Sequence, residues 1–144
     1  MARLPIHWIE ARTHCHATEE EERVLAALNT ACPGKTLSRE VVMGHFGNPL
    51  VVFRRRLATA EEIRVAWSRW KGAGVLAALE ATLEERTDKE AVLHFRLDKQ
   101  RAFLGTVVLA SGGDPIDIRV KLKAFSSRHE ETLEAARAAL REAT

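Results

Sequence analysis

The chain has 144 residues, of which 46% are hydrophobic and 29% are charged, and its formal net charge is +2 at pH 7. This length and composition predict one soluble domain, residues 1–144, and no apolar run approaches the length of a membrane span. The first residues lack an apolar signal core, so we expect a cytoplasmic protein. Two cysteines, Cys15 and Cys32, are too few for a disulfide framework, and we expect both to be reduced and buried.

The first part of the chain predicts a strand, a helix and a hairpin. Residues 6–15 alternate in polarity, which indicates a long first strand whose second face is strongly polar. Thr18 and Glu21 have the spacing of a capping box, which predicts that a helix begins at Thr18. Residues 39–43 and 50–56 flank the turn sequence Gly-His-Phe-Gly-Asn-Pro, and this arrangement predicts a hairpin. The buried stripe expected on the helix consists of Val24, Leu25, Leu28 and Ala31.

Helices are predicted next. Thr59 and Glu62 form a second capping box, and Gly72-Ala73-Gly74 separates this helix from a shorter one. The buried stripes expected on the two helices are Ile63, Ala66, Trp67 and Trp70, then Val75, Leu76, Leu79 and Leu83. The third tryptophan, Trp8, is instead predicted to lie on the polar side of the first strand.

The segment from Ala91 to Ala124 predicts a three-stranded meander, with Gly105 opening its middle strand and residues 111–115 forming the second turn. A third capping box, Ser127 with Glu130, predicts a closing helix that buries Leu133, Ala136 and Leu140. The order of elements indicates an α+β fold: a two-layer sandwich in which helices pack on one face of a largely antiparallel sheet.

Basic residues recur on the outward side of several predicted strands. A solvated surface would explain any one of these runs, but several strands that contribute positive charge to one side of a sheet favour a phosphate-rich ligand. Arginine binds phosphate bidentately and stacks on bases, so RNA is the expected partner. The candidate RNA-binding residues are Arg54, Arg55, Arg56, Arg96, Lys99, Arg101, Arg119, Lys121 and Lys123, with His45 and Asn48 of the 44–49 turn.

Other chemistry is weakly supported. His14 and His16 share a strand face and could chelate a metal with His45, but Cys15 points to the opposite face and no third ligand is fixed by local spacing. The glycines of residues 72–74 could hold a phosphate, although they more simply allow a bend. The sequence contains no P-loop or dinucleotide fingerprint. We therefore expect no catalytic residue, no cofactor and no metal.

Four ordered motifs resemble an archaeal family described as RNA-binding proteins and predicted exosome subunits. They are His-Ala-Thr-Glu-Glu-Glu-Glu at 16–22, Gly-His-Phe-Gly-Asn-Pro at 44–49, Arg-Leu-Asp-Lys-Gln at 96–100 and Asp-Pro-Ile-Asp-Ile-Arg-Val-Lys at 114–121. The resemblance implies a two-layer α+β fold related to that of a large-subunit ribosomal protein, RNA as ligand and a homodimer. It also implies the exosome or other RNA-processing proteins as partners.

Three functional hypotheses remain open at this point. The first is a non-catalytic RNA-binding protein of archaeal RNA processing, RNA degradation or ribosome-related metabolism, which holds phosphates on a basic sheet face and adjacent loops. The second is a protein-interaction subunit of a larger RNA-processing machine, in which an exposed strand edge or the tryptophan helix makes the contact. The third is a metal-dependent hydrolase built on the histidines. A map of surface charge discriminates among them.

Overall fold

The computed structural model describes residues 4–123 and 129–141. Within these residues no helix is long and apolar enough to cross a membrane. A short 3-10 turn spans Glu80–Thr82. The elements in chain order are β1 (Ile6–Cys15), α1 (Glu21–Ala31), β2 (Ser38–Met43), β3 (Pro49–Leu57), α2 (Ala60–Gly72), α3 (Val75–Leu79), α4 (Leu83–Arg86), β4 (Val92–Leu97), α5 (Lys99–Phe103), β5 (Ile116–Leu122) and α6 (His129–Arg141).

The five strands form one antiparallel sheet in the order β2-β3-β1-β5-β4. Strand β1 is therefore central, and its residues pair with β3 on one side and with β5 on the other. Glu10, for example, lies opposite Arg56 on β3 and Arg119 on β5. This register matters because residues that pair across strands point to the same face of the sheet.

The helices pack on one face of the sheet, as predicted. Buried residues of α1, α2 and α6 join the inward residues of the strands in one hydrophobic core. Trp67 and Trp70 lie at its centre, and both are fully buried. Their indole N–H groups donate to the carbonyls of Ala139 and Ala31, so neither burial leaves an unpaired donor. Cys15 and Cys32 are free and buried, also as predicted.

The first strand contains an irregularity that the alternation did not predict. Its pairing with β5 shifts register between Ile6 and Trp8, which marks a β-bulge. Ile6 and Ile9 both face the core as a result, while His7 is exposed. Strict alternation would place His7 on the same face as Ile9, but the bulge changes the phase of the strand and His7 is exposed instead.

The capping predictions have different outcomes. Thr59 caps α2, since its hydroxyl accepts a hydrogen bond from the backbone N–H of Glu62. Thr18 does not cap α1, which begins at Glu21 after Glu20. The carboxylate of Glu19 instead accepts from the backbone N–H of His16, so the turn before α1 is closed by a different side chain. Ser127 of the third predicted box lies outside the described residues.

The predicted three-stranded meander is wrong in its middle strand. Strands β4 and β5 pair directly with each other, and the chain between them forms the short helix α5. Asp98 caps that helix by accepting from the backbone N–H of Arg101. The following segment then makes only two backbone hydrogen bonds to the outer edge of β4, Asp98 N–H to the Val108 carbonyl and Ala110 N–H to the Arg96 carbonyl.

Candidate nucleic-acid interface

The face of the sheet opposite the helices carries charged side chains from four adjacent strands. Its membership follows from strand parity, because alternate residues of each strand point away from the core. We call this surface the open face. It consists of Trp8, Glu10 and Arg12 on β1, Arg54 and Arg56 on β3, His94 and Arg96 on β4, and Asp117, Arg119 and Lys121 on β5.

Two carboxylates lie between the arginines of the open face. Glu10 lies 3.3 Å from Arg56 and 3.8 Å from Arg119, on the two neighbouring strands. The sheet was predicted to present a polar and mostly basic surface; the structure adds that carboxylates lie between the arginines of neighbouring strands.

The second carboxylate repeats this arrangement. Asp117 lies 3.6 Å from Arg12 and 3.1 Å from Arg96. In addition, Arg54 lies 3.8 Å from Glu40 at the edge of the face. Because Glu10 and Asp117 are each shared by two arginines, positive charge remains in excess around each of them.

Depth separates the two signs of charge. The side chains of Glu10 and Asp117 are 24% and 26% exposed, whereas those of the five arginines range from 39% for Arg54 to 67% for Arg96. The carboxylates therefore lie closer to the sheet and the guanidinium groups reach further into solvent. A large anion that approaches the open face meets arginine first.

A shallow groove of about 850 Å³ crosses the open face. It extends from the centre of the sheet toward the chain segment before β4. There Asp88 accepts hydrogen bonds from the backbone N–H groups of Glu90 and Val92, and its carboxylate pairs with His94 at 2.8 Å. Burial alone would raise the pKa of Asp88, but the hydrogen bonds from His94 and from these N–H groups lower it below its ordinary value. The groove is lined by charged residues including Glu10, Arg12, Arg54, Glu85, Arg86, Asp88, His94, Arg96, Asp117 and Arg119.

Arg55 is not part of the open face, which corrects one of the predicted sites. It is only 5% exposed and lies on the helix side of β3. Its guanidinium donates to the carbonyls of Thr36 and Cys32 and to the side-chain oxygen of Asn29. Burial lowers its pKa. Since these acceptors use its donors inside the protein, Arg55 holds α1 and the following loop against the sheet and is not available to phosphate.

Lys99 is the second predicted site that the structure corrects. Its side chain is 3% exposed, and its ammonium lies 3.0 Å from Glu19 and 2.6 Å from Asp114. It also donates to the carbonyl of His14 at 2.9 Å. Lys99 therefore ties the β1–α1 connection to the segment before β5, and it has no free face for RNA.

The carboxylates around Lys99 also bear on the metal hypothesis. Ligand atoms of His16, Glu19 and Asp114 lie within 4.8 Å of one another. The Lys99 ammonium already pairs with both carboxylates, so its positive charge opposes a metal cation there. Of the three histidines considered from sequence, His14, His16 and His45, only His16 belongs to this group of ligand atoms. Burial lowers the pKa of the His14 imidazole.

The remaining predicted sites lie in three places. Arg101 is exposed on α5, which packs against α1 on the helix side. Lys121 is on the open face, where its ammonium donates to the carbonyl of Glu90, and Lys123 follows the end of β5. His45 and Asn48 are exposed in the β2–β3 turn.

The β2–β3 turn presents an aromatic side chain to solvent. Gly47 adopts a positive φ of 81°, which glycine permits, and the Gly44 N–H donates to the Asn48 carbonyl. Phe46 at its tip is 89% exposed and contacts the His45 ring edge-on at 4.9 Å. The residues of this motif therefore form the turn and also expose the apolar ring of Phe46.

Sequence reasoning missed the three contributors that β1 makes to the open face. Glu10 and Arg12 belong to the strongly polar second face that was predicted for the first strand, but neither was assigned to the site, and Trp8 was only placed on that polar side. The signal was present, because all three share the parity of the outward residues of β1. What the local pattern could not supply was the strand order that brings β1 between β3 and β5.

These features define a class: a small two-layer α+β protein whose sheet is covered by helices on one face and lined by arginines on the other. A family model described as RNA binding matches residues 8–122. An RNA-binding protein of Pyrococcus abyssi is 34% identical over 146 residues, which cover 94% of each chain. The chain belongs to this archaeal RNA-binding family.

Solved structures share this fold. A DUF54 protein from Methanothermobacter thermautotrophicus has a TM-score of 0.83 and 34% identity, and the match covers 94% of this chain and 98% of that one. A UPF0201 protein from Methanococcus jannaschii has a TM-score of 0.62 at 15% identity, over 90% of this chain and 92% of that one. The second likeness concerns the fold alone.

Proposed function

We propose that this protein binds RNA without catalysing a reaction, and that the open face holds the phosphates. The observation that carries the proposal is the set of five partly exposed arginines on adjacent strands, arranged above two less exposed carboxylates. Guanidinium groups bind phosphate oxygens with charge-assisted hydrogen bonds, and the internal carboxylates keep the long side chains in place before the ligand arrives. Membership of the RNA-binding family supports RNA as the anion.

The salt dependence of binding tests this proposal. The affinity for a labelled single-stranded RNA should fall with rising salt, with a log-log slope of about −0.7 for each neutralised phosphate. Changing Arg54 and Arg96 together to Ala should weaken binding to unrelated sequences and make the slope shallower by roughly one to two units. Both side chains are partly exposed on the open face, so the fold of the sheet should be preserved.

A matched control removes the same charge from the other side of the molecule. Arg137 and Arg141 lie on α6, which packs on the helix face, so changing both to Ala lowers the net charge equally. This control should leave the salt slope close to that of the wild type. If the two double variants lose affinity equally, only net charge matters and the open face is not the interface.

We further propose that the protein works in the cytoplasm, in archaeal RNA processing, RNA degradation or ribosome-related metabolism. The family resemblance that the four ordered sequence motifs carry supports this setting. It also supports the exosome or other RNA-processing proteins as partners. Affinity capture from a native lysate, with sequencing of the RNA and mass spectrometry of the proteins, tests it. Recovery of bulk RNA with no enriched species and no processing protein would contradict the setting while leaving RNA binding intact.

A homodimer is the quaternary structure that we propose, with the β2–β3 hairpin as its contact. Three exposed apolar side chains support this contact: Val41 at 56%, Met43 at 69% and Phe46 at 89%. Strand β2 is also a sheet edge, and among the described residues no backbone segment pairs with its outer side. The same observation favours the alternative function, a protein-interaction subunit, if a different protein occupies this hairpin.

Light scattering distinguishes these occupants. The wild type should have a dimer mass at tens of micromolar protein, and changing Met43 to Lys should shift it to monomer. A monomeric wild type would contradict the homodimer. The interaction-subunit function would replace RNA binding if two further results were obtained. The wild type would capture a processing protein that Met43→Lys does not capture, and the wild type would show no affinity for RNA.

A further inference from the structure

Trp8 differs from the other two tryptophans in its surroundings. Trp67 and Trp70 are 0% exposed in the core, with both indole N–H groups bonded to carbonyls. Trp8 is partly exposed and follows the β-bulge, so its ring lies on the open face among charged side chains. An aromatic ring on a charged, solvent-facing sheet adds little to the core, and its position therefore calls for another explanation.

Two arginines from the neighbouring strands pack against the Trp8 ring. The guanidinium carbon of Arg56 lies 4.5 Å from the ring centroid, and that of Arg119 lies 5.8 Å from it. Glu10 pairs with both guanidinium groups and so limits their movement. These four residues, Trp8, Glu10, Arg56 and Arg119, form what we call the tryptophan–arginine cluster.

The arginines of this cluster keep surface available for a ligand. The Arg56 and Arg119 side chains remain 53% and 47% exposed although they contact the ring and Glu10. Guanidinium and indole planes both stack on nucleobases, and the guanidinium N–H groups can bind the phosphate that accompanies each base. The entropic cost of ordering these long side chains is already met by their contacts with Trp8 and Glu10.

The cluster is also continuous with the groove on the open face. Glu10 and Arg119 belong to the cluster and line the groove, which continues past Arg96 and Arg12. A strand whose base is stacked at Trp8 can therefore place its following phosphates beside further arginines. A duplex cannot use the cluster in this way because its bases are already stacked and paired inside the helix.

We propose that the tryptophan–arginine cluster binds an unpaired base, so that the open face selects single-stranded RNA over duplex RNA. This inference rests on the proposed RNA-binding function and adds the class of RNA and the point of base contact. The base is recognised by its flat aromatic surface, and the proposal therefore predicts little preference for sequence.

Intrinsic fluorescence provides a direct test, because Trp8 is the tryptophan that a ligand on the open face can contact. Three oligonucleotides are compared: a single-stranded RNA of ten nucleotides, an abasic chain with the same number of phosphates, and a duplex of the same sequence. The single strand should quench part of the emission and bind about tenfold more tightly than the abasic chain. Changing Trp8 to Phe should remove the quenching signal and keep most of the affinity.

The variant Trp8→Ala measures the contribution of the ring itself. It should bind the single strand about tenfold more weakly and no longer distinguish it from the abasic chain, whereas the effect of salt should persist. Circular dichroism checks that the variant folds. If it does not fold, the comparison of the three ligands with the wild type, and with Trp8→Phe, still decides the question.

Two outcomes would overturn the proposal in distinguishable ways. Equal binding of single-stranded, abasic and duplex ligands, with unchanged Trp8 emission, would show that the cluster only packs against the sheet while phosphate binding by the open face stands. Absence of salt-dependent binding to any of the three ligands would overturn the proposed function as well.

Discussion

Three consecutive arginines on β3 illustrate how differently the two faces of the sheet use the same side chain. Arg55 points into the helix layer and donates three hydrogen bonds to oxygen acceptors of residues 29–36. Arg54 and Arg56 point to the open face, where they pair with Glu40 and Glu10 and remain partly exposed. Consecutive basic residues in a strand therefore point alternately to the two faces of the sheet, and only those on the open face can contact a ligand.

The comparison extends to the aromatic residues. On the helix face Trp67 and Trp70 contact each other edge-on at 5.8 Å, and Trp70 contacts Phe95 at 5.2 Å. On the open face Trp8 is surrounded by guanidinium groups. Residues of one type therefore stabilise the fold on one side and form a candidate binding surface on the other, and mutations on the two sides should separate stability from RNA affinity.

The largest effect on stability is expected from Trp67→Ala. The ring is fully buried and its N–H donates to the Ala139 carbonyl, so truncation leaves both a cavity and an unpaired acceptor. Unfolding in urea should show a loss of about 3–5 kcal/mol. The control is Val65→Ala on the same helix, whose side chain is exposed and should change stability by no more than about 0.5 kcal/mol. A loss for Trp67→Ala below about 1 kcal/mol would mean that α2 does not anchor the core.

Lys99→Met should have the next largest effect. It removes the buried ammonium that Glu19 and Asp114 share, and leaves two carboxylates close together. We expect a loss of about 3 kcal/mol, at the lower end for a broken buried pair because both carboxylates are partly exposed. Lys89→Met, in an exposed turn, is the matched control. If RNA affinity falls while stability does not, Lys99 is a ligand contact after all.

A pair of neighbouring substitutions sharpens the comparison between the two faces. Arg55→Met leaves the oxygen acceptors of Thr36, Cys32 and Asn29 without their donor. Because the Cys32 carbonyl is buried, the change should cost about 2 kcal/mol, with no change in the salt slope of RNA binding. Arg54→Met should change stability by no more than about 0.5 kcal/mol and make that slope shallower. Denaturation and RNA titration of the two variants check this. The reverse result would mean that the two residues exchange roles in solution.

Much of the fold was predictable because its signals are local. The alternation of residues 6–15, the Thr59 cap and the stripe that includes Trp67 correctly predicted β1, α2 and the helix-covered sheet. The prediction of a middle strand in the meander was wrong. Residues 106–110 have strand-like composition, but Asp98 caps α5, and after this helix the chain runs along the edge of β4. Tertiary context decided there between two locally acceptable structures.

The candidate site was less predictable for a related reason. Arg55 could have been separated from its neighbours, since it has the same parity as Val51, Phe53 and Leu57. Lys99 could not, because Glu19 and Asp114 are distant in sequence and only the folded chain brings them to its ammonium. Local periodicity predicts which face a side chain is on, but it carries no information on partners that long-range packing supplies.

The smallest expected effect concerns pH and tests the contacts that Asp114 makes with Lys99 and His16. Burial would raise the pKa of Asp114, but its contacts with Lys99 and His16 outweigh burial and hold the pKa below its ordinary value of 3.8. A carboxyl whose pKa is lowered by folding stabilises the protein above its ordinary pKa, and this stabilisation is lost as pH falls through the lowered value. The variant Asp114→Asn removes the titrating group but keeps the shape of the side chain. It should therefore be less stable than the wild type at neutral pH.

The difference in unfolding free energy between the wild type and Asp114→Asn should decrease as the pH falls from about 5 to about 2, because the wild-type carboxyl becomes protonated in that range. Urea unfolding at several pH values measures it. The same substitution in the Lys99→Met background provides the control, since the ammonium that lowers the pKa is then absent and the difference should lose most of its pH dependence. The unfolding free energies of the wild type and Asp114→Asn, both of which retain Lys99, are the ones compared. If their difference stays constant with pH, Asp114 stabilises the fold through its hydrogen bonds and not through its charge.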